Sequence, residues 1–270
     1  MRIGELCKRA GVSRGTVGYD ERLVLQDKAT PPHARSSPLS YFWSGDTMRS
    51  RRVSEVVLSG MLEVPEPPAR LRADWAREIS SHMTLDAGDV EVMPLARARM
   101  RWPQYSQCVR AVSDWTGRLG LPGVLAGSDV ALMVCRGARY HHDGEQYGGA
   151  VFCNLFLSED KGQDLHFPSL DLRIPLRRGL AVVFDTCQPH GVIRRGSDGF
   201  AAADFPDGRD DSQLFLTWEL PVEDVHVARS LEVVFDADPA TAATLDAEQV
   251  RRQGERVTVS PDSGRWCRAG

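Results

Sequence analysis

Apolar residues recur along this chain at two periods, and the change between them indicates two kinds of structure. Between residues 70 and 82, Leu71, Trp75 and Ile79 fall at positions i, i+4 and i+8, and helical spacing returns between residues 104 and 119. This period predicts a helix in each segment, with an apolar stripe that packs on a core.

From Val130 onward the period shortens, and apolar runs are separated by Gly, Pro, Asp and Ser. Runs of this length and spacing, without helical patterns between them, predict an all-strand sandwich or barrel. The predicted strands cover residues 130–135, 149–157, 179–184, 190–194, 213–220 and 230–235.

The first sixty residues have a third pattern of apolar and polar positions. Two short helical patterns are separated by Gly11, and Ser13 is a suitable N-cap for the second, which predicts a helix-turn-helix. The stretch "RIGELCKRAGVSRGTV" resembles the DNA-binding head of MerR-type regulators. The following "SSPLSYFWSGDTMRSRRVSEV" (Ser36–Val56) is similar to their wing and next helix, so the resemblance covers about residues 1–57.

This resemblance fails where phosphate contacts are expected. Gly18, Tyr19 and Asp20 stand where those regulators have an arginine and paired tyrosines, which places a flexible residue and an anion there. "LEVPEPPARL" then breaks any dimerisation helix with three prolines. Residues 1–60 carry a net charge of +4, against −4 for the whole chain. We therefore expect a degenerate helix-turn-helix segment without DNA binding.

Composition adds limits on class. An apolar fraction of 42% can cover a sizeable core, and no apolar run is long enough for a membrane span. The start of the chain has no apolar signal stretch, so we expect a cytoplasmic protein without membrane contact. Six scattered cysteines without a C-x-x-C pair are expected to be reduced and mostly structural.

Candidate chemistry lies between the first two predicted strands of the body, in "RYHHDGE". Residues i and i+2 of a strand face the same way, so His141 and Asp143 can point into a barrel while His142 points out. The strand "GLAVVFD" leads into "TCQPHGVIRR", which supplies His190 at the start of another strand. Two histidines and one carboxylate form a facial triad, which binds Fe(II) and leaves three positions open.

With these residues in place, the segment from about 130 to 220 resembles the Fe(II)/2-oxoglutarate-dependent dioxygenases. Its frame is the H-x-D motif followed in order by "HFP", "VFD", "PHGV" and "QLFLTWEL". The resemblance implies a double-stranded β-helix (jelly-roll) core, with His141, Asp143 and His190 as metal ligands and catalytic centre. It also implies Fe(II), 2-oxoglutarate and O2 as cofactor and cosubstrates, with hydroxylation of a small molecule or amino-acid-like substrate and release of succinate and CO2.

The family usually opens its last core strand with a cation that holds the far carboxylate of 2-oxoglutarate, and here Ser212 and Gln213 stand there. Arg194, four residues after His190 and in phase with it, is the first candidate for that role because a planar guanidinium suits a carboxylate. The other candidate cosubstrate contacts are Arg209, Asn154 and Tyr140. Arg195 should point outward, and His166 should be structural or face the substrate. The long segment 196–211 is expected to form a lid over the site.

The predicted fold class is α+β, with a jelly-roll core, flanking helices and a small N-terminal helical unit. The predicted organisation is a helix-turn-helix segment at 1–60, a proline-rich link at 61–70 and a dioxygenase domain at 71–270. Within that domain we expect helical support (71–128), the core (129–222) and a C-terminal extension (223–270). Two other functions stay open at this point: a ligand-sensing transcriptional regulator and a cupin-like metal-dependent isomerase. The sequence leaves the substrate and the oligomeric state open.

Overall fold

The computed structural model describes residues 37–83 and 85–270, and most of its regular structure is antiparallel β-sheet. The strands are β1 (Leu39–Ser44), β2 (Thr47–Arg52), β3 (Val57–Met61), β4 (Val90–Met93), β5 (Val130–Cys135), β6 (Ala138–His141), β7 (Ala150–Phe156), β8 (Gln163–Phe167), β9 (Leu172–Pro175), β10 (Leu180–Asp185), β11 (His190–Arg194), β12 (Gln213–Pro221), β13 (Gln249–Arg252), β14 (Glu255–Val259) and β15 (Trp266–Arg268). The helices are α1 (Ala69–His82), α2 (Leu95–Arg101), α3 (Tyr105–Arg118), α4 (Val225–Ser230) and α5 (Pro239–Ala242).

Two of the sheets face one another in a jelly-roll-type arrangement. The larger sheet has the order β3-β10-β7-β12-β5-β4, and the smaller has the order β6-β11-β8-β9. One apolar cluster joins them, because Phe156 and Phe215 from the larger sheet pack with Leu165, Phe167 and Val192 from the smaller. Burial of these side chains between the sheets fixes the space in which the candidate ligands lie.

The central strands of the larger sheet are buried on both faces. In β12, Leu216 and Trp218 belong to the outer apolar cluster, whereas Phe215 belongs to the cluster between the sheets. In β7, Leu155 and Phe156 divide in the same way. Strands that are covered on both faces have continuous apolar sequences, and these strands were correctly predicted from that pattern.

The helices α1, α2 and α3 cover the outer face of the larger sheet. Trp75, Trp102 and Trp115 are all buried there, and the Trp75 and Trp102 rings meet edge to face with centroids 6.4 Å apart. The helices predicted at 70–82 and 104–119 are thus confirmed, and the apolar stripes of both pack on the sheet as their period indicates.

The expectations about the cysteines and about membrane spans can be compared with the described residues. The described cysteines form no disulfide, and Cys108, Cys135, Cys153 and Cys187 are buried. Across residues 37–83 and 85–270, the helices are too short or too polar to cross a bilayer.

The third sheet has the order β15-β14-β13-β1-β2 and corrects the predicted organisation of the first sixty residues. The predicted helix-turn-helix lies outside the described residues. The strands β1 and β2 form a hairpin, but the expected wing is part of the body, because β1 pairs with β13 of the C-terminal segment. No helix follows it, since β3 pairs with β10 in the larger sheet. A boundary at residue 60 would cut this sheet apart.

The prediction of a strand at 230–235 is wrong. The helix α4 occupies the preceding residues and ends at Ser230, and only Phe235 makes an isolated bridge, to Arg51. Buried Val227 and Leu231 lie in the outer apolar cluster at helical spacing, so the apolar run there serves a helix end rather than a strand.

A fully buried ion pair links the third sheet to the larger one. Arg51 on β2 and Asp185 at the end of β10 are both 0% exposed, and two guanidinium nitrogens lie 2.5 and 2.8 Å from the two carboxylate oxygens. The Arg51 Nε also donates to the carbonyl of Gly148 at 2.8 Å. Each charge satisfies the other, so removal of one leaves a buried charge without its counter-ion.

We predict that Arg51→Met lowers the free energy of unfolding by about 3–5 kcal/mol, because it strands the Asp185 carboxylate. Urea unfolding followed by tryptophan fluorescence measures the change. The matched control is Arg49→Met on the same strand, where the pairs with Glu223 and Asp236 are solvent-exposed and should contribute no more than about 1 kcal/mol. Equal losses in both variants would contradict the structural role of the buried pair.

A second prediction concerns truncation. The predicted boundaries place the whole metal-binding domain at residues 71–270, but a chain starting near Leu71 lacks β1, β2 and β3 and with them Arg51. We expect it to be insoluble or to lose cooperative unfolding, as measured by circular dichroism during heating. A cooperative transition like that of the full chain would show that the third sheet is dispensable.

Candidate metal centre

His141, Asp143 and His190 converge at one end of the space between the two facing sheets. The Nε2 atom of His141 lies 3.8 Å from one Asp143 carboxylate oxygen, and the Nε2 atom of His190 lies 3.6 Å from the other. Ligand atoms of all three residues lie within 4.8 Å of one another. The structure therefore brings together the three residues that the sequence pattern selected.

Strand pairing and backbone contacts orient both imidazoles. His141 ends β6 and His190 begins β11, and the two are direct partners in the antiparallel pairing. The Nδ1 atom of His141 lies 2.7 Å from the carbonyl of Arg139, and that of His190 lies 2.9 Å from the carbonyl of Gln188. A carbonyl accepts only, so each Nδ1 carries the proton and each Nε2 offers its lone pair.

Burial keeps His190 uncharged. The side chain lies among Phe167 and Phe184, and desolvation, followed by repulsion from His141, lowers the pKa of His190 to about 4. Its imidazole is thus neutral at physiological pH, which is the form that binds a metal ion.

Asp143 lies beyond the end of β6, in a turn rather than in the strand. Its backbone N–H donates to the carbonyl of Thr186 at 2.8 Å, and its own carbonyl accepts from Gln146 and Tyr147 at 3.0 and 2.8 Å. The next residue must be Gly144, because a Cβ there would lie 2.7 Å from the sulfur of Cys187. The turn is therefore held against the segment that leads to His190.

His142, between the two ligands, points away from them. Its ring packs on Trp266 with centroids 5.3 Å apart, and its Nδ1 accepts from the N–H of Gly144 at 3.1 Å. The expected outward direction is correct, but the third sheet covers the side chain. Burial, the largest influence on it, lowers the pKa of His142.

A cavity of about 280 Å³ opens from the triad into the space between the sheets. Its walls come from β4, β5, β7, β10 and β12 of the larger sheet on one side and from β6, β8 and β11 of the smaller sheet on the other. The lining residues besides the triad are Val90, Val92, Met133, Cys135, Ala138, Gln146, Tyr147, Phe152, Asn154, Phe156, Leu165, Phe184, Val192, Phe215 and Thr217.

No lysine or arginine of the described residues lines this cavity. Apart from the triad, its polar side chains are uncharged or weakly acidic, and deep in its wall Thr217 donates to the Asn154 Oδ1 at 2.6 Å. Asn154 therefore lies where the sequence pattern placed it, next to the cavity. Thr217 was not predicted from the sequence, because its position opposite Asn154 depends on the register between β12 and β7, which only the structure shows.

Arg194 does not line the cavity, which corrects the strand-phase argument. Its guanidinium forms an ion pair with buried Asp211 at 2.9 Å, donates to the carbonyl of Lys161 at 2.8 Å and lies over the Phe205 ring. Strand phase sets the initial direction of a side chain, but Arg194 is the last residue of β11 and its long side chain follows the buried carboxylate. If Arg194 moved toward a ligand, the buried Asp211 carboxylate would keep only the exposed Arg209 as its counter-ion, which is unfavourable.

The other candidates also lie elsewhere. Arg209 is solvent-exposed, and Arg195 points outward as expected, to Asp160 and Asp164. Tyr140 faces away from the cavity, because it alternates with His141 along β6. Its hydroxyl lies 2.6 Å from the Nδ1 of His166, and this buried contact makes His166 structural.

The segment 196–211 does not cover the triad. None of its residues lines the cavity, and its buried Phe205 packs instead against Gly137, where a Cβ would lie 2.7 Å from the ring. Arg136 donates to the carbonyl of Phe205 at 2.6 Å. The segment therefore packs on the connection between β5 and β6 instead of over the triad, and the expectation of a lid is wrong.

No protein-family model matches the chain, and no curated protein does. Among solved structures, EvdO2 from Micromonospora carbonacea var. aurantiaca is 12% identical over 70% of this chain and 92% of its own, with a TM-score of 0.38, and has also been solved with 2-oxoglutarate. The non-heme alpha ketoglutarate dependent epimerase SnoN, from nogalamycin biosynthesis, is 11% identical over 61% and 78%, with a TM-score of 0.34. The viral collagen prolyl hydroxylase of Paramecium Bursaria Chlorella virus-1 is 9% identical over 60% and 89%, with a TM-score of 0.33. These likenesses are distant, so the functional proposal rests on the site itself.

The donor set fits iron. Two neutral imidazole nitrogens and one carboxylate on one side of a metal ion form the arrangement that binds Fe(II) and leaves positions open for other ligands. A structural zinc site would instead close its coordination with a fourth side chain, commonly Cys or His. The cluster found among the described residues has three members.

We predict that His190→Ala lowers the affinity for Fe(II) by at least about 100-fold. Removal of a residue that only hydrogen-bonds to a metal ligand already lowers metal affinity by about 10–100-fold. Anaerobic calorimetric titration measures this. The matched control is His142→Asn, which removes the neighbouring imidazole and keeps an acceptor for the N–H of Gly144. Iron affinity that falls equally in both variants, or in neither, would contradict the assignment of the triad.

Proposed function

We propose that this protein is a non-haem Fe(II) oxygenase that uses 2-oxoglutarate and O2 to oxidise a small organic substrate. The observation that carries the proposal is the arrangement of His141, Asp143 and His190 on one side of a mostly apolar cavity that they help to line. Such an arrangement holds a metal ion by three bonds and leaves it accessible to small molecules.

The residues of the chain would act mainly by holding and orienting. The two imidazoles present Nε2 because backbone carbonyls hold Nδ1, and Asp143 supplies the negative charge that an Fe(II) ion requires. Bound iron in such a site supplies two-electron oxidation of a substrate C–H bond by O2, with 2-oxoglutarate converted to succinate and CO2. Hydroxylation is the outcome that we propose.

The cavity walls would keep water from the reacting atoms. Phe152, Phe184 and Phe215 line the cavity, and Phe184 also packs edge to face on the His190 ring with centroids 4.8 Å apart. A dry, low-dielectric space protects a reactive metal centre from unproductive reactions.

The mouth favours a substrate with apolar surface. Val90 and Val92, on edge strand β4, line the cavity and are 38% and 47% exposed. Exposed apolar side chains at a cavity mouth indicate a contact surface for a ligand. We therefore infer a small, largely apolar substrate, since no lysine or arginine among the described residues lines the cavity to bind a substrate carboxylate.

The test is turnover by the iron-loaded protein. Succinate formation and O2 consumption are measured with 2-oxoglutarate over a panel of small molecules, with and without Asp143→Ala. We expect equimolar succinate and O2 in the wild type, even if slow without substrate, and at least about a 100-fold loss in the variant. The control is Glu145→Gln, which removes an exposed carboxylate two residues away that pairs with Arg256.

The same measurement separates the other functions. A cupin-like isomerase would convert substrate without consuming O2 or 2-oxoglutarate, and a ligand-sensing regulator would bind a ligand without turnover. An iron-loaded protein that consumes neither cosubstrate over the whole panel would contradict the proposed function.

A further inference from the structure

A buried amide without a partner lies on the cavity side of β12. The side chain of Gln213 is fully buried, and neither its Nε2 nor its Oε1 has a hydrogen-bond partner among the described residues. A buried amide in this state costs free energy unless a ligand or water satisfies it. Such a group therefore points to something that binds there.

The strand register places this amide next to the lining residues Cys135 and Phe215, although Gln213 itself is not a lining residue of the cavity. Gln213 alternates with Phe215 and Thr217, which both line the cavity, whereas Leu214 packs on the outer cluster. Its cross-strand partner is Cys135, which is itself a lining residue. Register partners in antiparallel strands project to the same face, so the Gln213 side chain enters the barrel one row beyond Phe215.

The surroundings of Gln213 offer neutral groups rather than a free cation. Gln163, also fully buried, donates through Nε2 to the carbonyl of Asp211 at 2.6 Å, while its Oε1 has no partner among the described residues. The basic side chains near this end are themselves paired: Arg194 with Asp211, and Lys161 with Asp210 and the carbonyl of Ser212. A ligand that reaches this end would thus meet an amide donor instead of a guanidinium.

We propose that the Gln213 amide binds the far end of the α-keto acid, so that this end is recognised by neutral hydrogen bonding rather than by an ion pair. This inference rests on the proposed function. The ligands it selects are α-keto acids of about five carbons with a hydrogen-bond acceptor at the far end, whether or not that acceptor is charged. 2-Oxoglutarate belongs to this class, but we expect no strong difference in affinity between it and the uncharged members.

A direct consequence concerns the charge of the ligand. A charge-assisted bidentate contact with a cation is worth roughly 30-fold to several thousandfold in affinity. An amide donor to a neutral acceptor contributes much less, about 2- to 10-fold. The ratio of affinities for a charged and an uncharged ligand of equal shape therefore distinguishes the two modes of recognition.

The experiment measures binding rather than turnover. Calorimetric titration of the Mn(II)-loaded full chain is carried out with 2-oxoglutarate and with 2,5-dioxohexanoate, which has a methyl ketone where 2-oxoglutarate has its far carboxylate. We expect dissociation constants within about 10-fold of each other. Gln213→Leu should weaken both several-fold without changing Mn(II) affinity, and Gln213→Arg should favour 2-oxoglutarate over the ketone by at least about 30-fold.

Three outcomes would overturn the inference. These are a preference of the wild type for 2-oxoglutarate above about 30-fold, affinities that Gln213→Leu leaves unchanged, and no binding of either acid to the Mn(II)-loaded protein. If Gln213→Leu or Gln213→Arg fails to fold, Gln213→Glu should still reverse the preference toward the ketone, because it places like charges together. If the proposed function itself is wrong, the protein will not bind Mn(II) through His190. That result would be seen in the metal titration, before any acid is added.

Discussion

The buried pair between Arg51 and Asp185 is the contact on which the rest of this structure depends. It joins a strand of the third sheet to the end of a core strand, and the Arg51 Nε also holds the carbonyl of Gly148. The Asp185 carboxylate accepts two further bonds, from the N–H groups of Ser54 and Cys187 at 2.7 and 2.9 Å. A carboxylate that accepts from this many donors is held in one position, and its chain neighbours are fixed around it.

This fixed segment continues directly into the candidate metal centre. The carbonyl of Thr186 accepts the backbone N–H of Asp143, and its hydroxyl lies within donating distance of the carbonyls of Tyr147 and Ala150. Gln188 is bound to the carbonyl of Ser54 through its side chain, at 2.6 Å, and its own carbonyl holds the Nδ1 of His190. Two ligands are thus oriented by one backbone segment. The geometry of the triad is therefore a property of the whole fold, although the ligands themselves lie on short local motifs.

The parts that sequence reasoning predicted correctly are those with local causes. The helices and most core strands follow from the apolar period. The three candidate ligands were selected by their short motifs, although Asp143 lies in a turn and not in the strand that the alternation argument assumed. Residues 39–61 were misassigned because the partners of their strands lie far along the chain, which no local pattern reveals. Arg194 failed as a candidate for a related reason: alternation gives a direction, whereas the buried acid that binds a long side chain belongs to another loop. The unpaired state of Gln213 is likewise visible only in three dimensions.

The pairing of β1 with β13 has a consequence for the order of folding. Leu39 and Arg251 are direct partners although they are roughly 200 residues apart, a separation that makes closure of this sheet slow. Trp266, which covers His142, arrives only with that sheet. During synthesis the ligand-bearing strands leave the ribosome well before the segment that completes their support. We therefore expect the metal centre to acquire its final shape late in folding, so that iron enters a preformed protein rather than nucleating one.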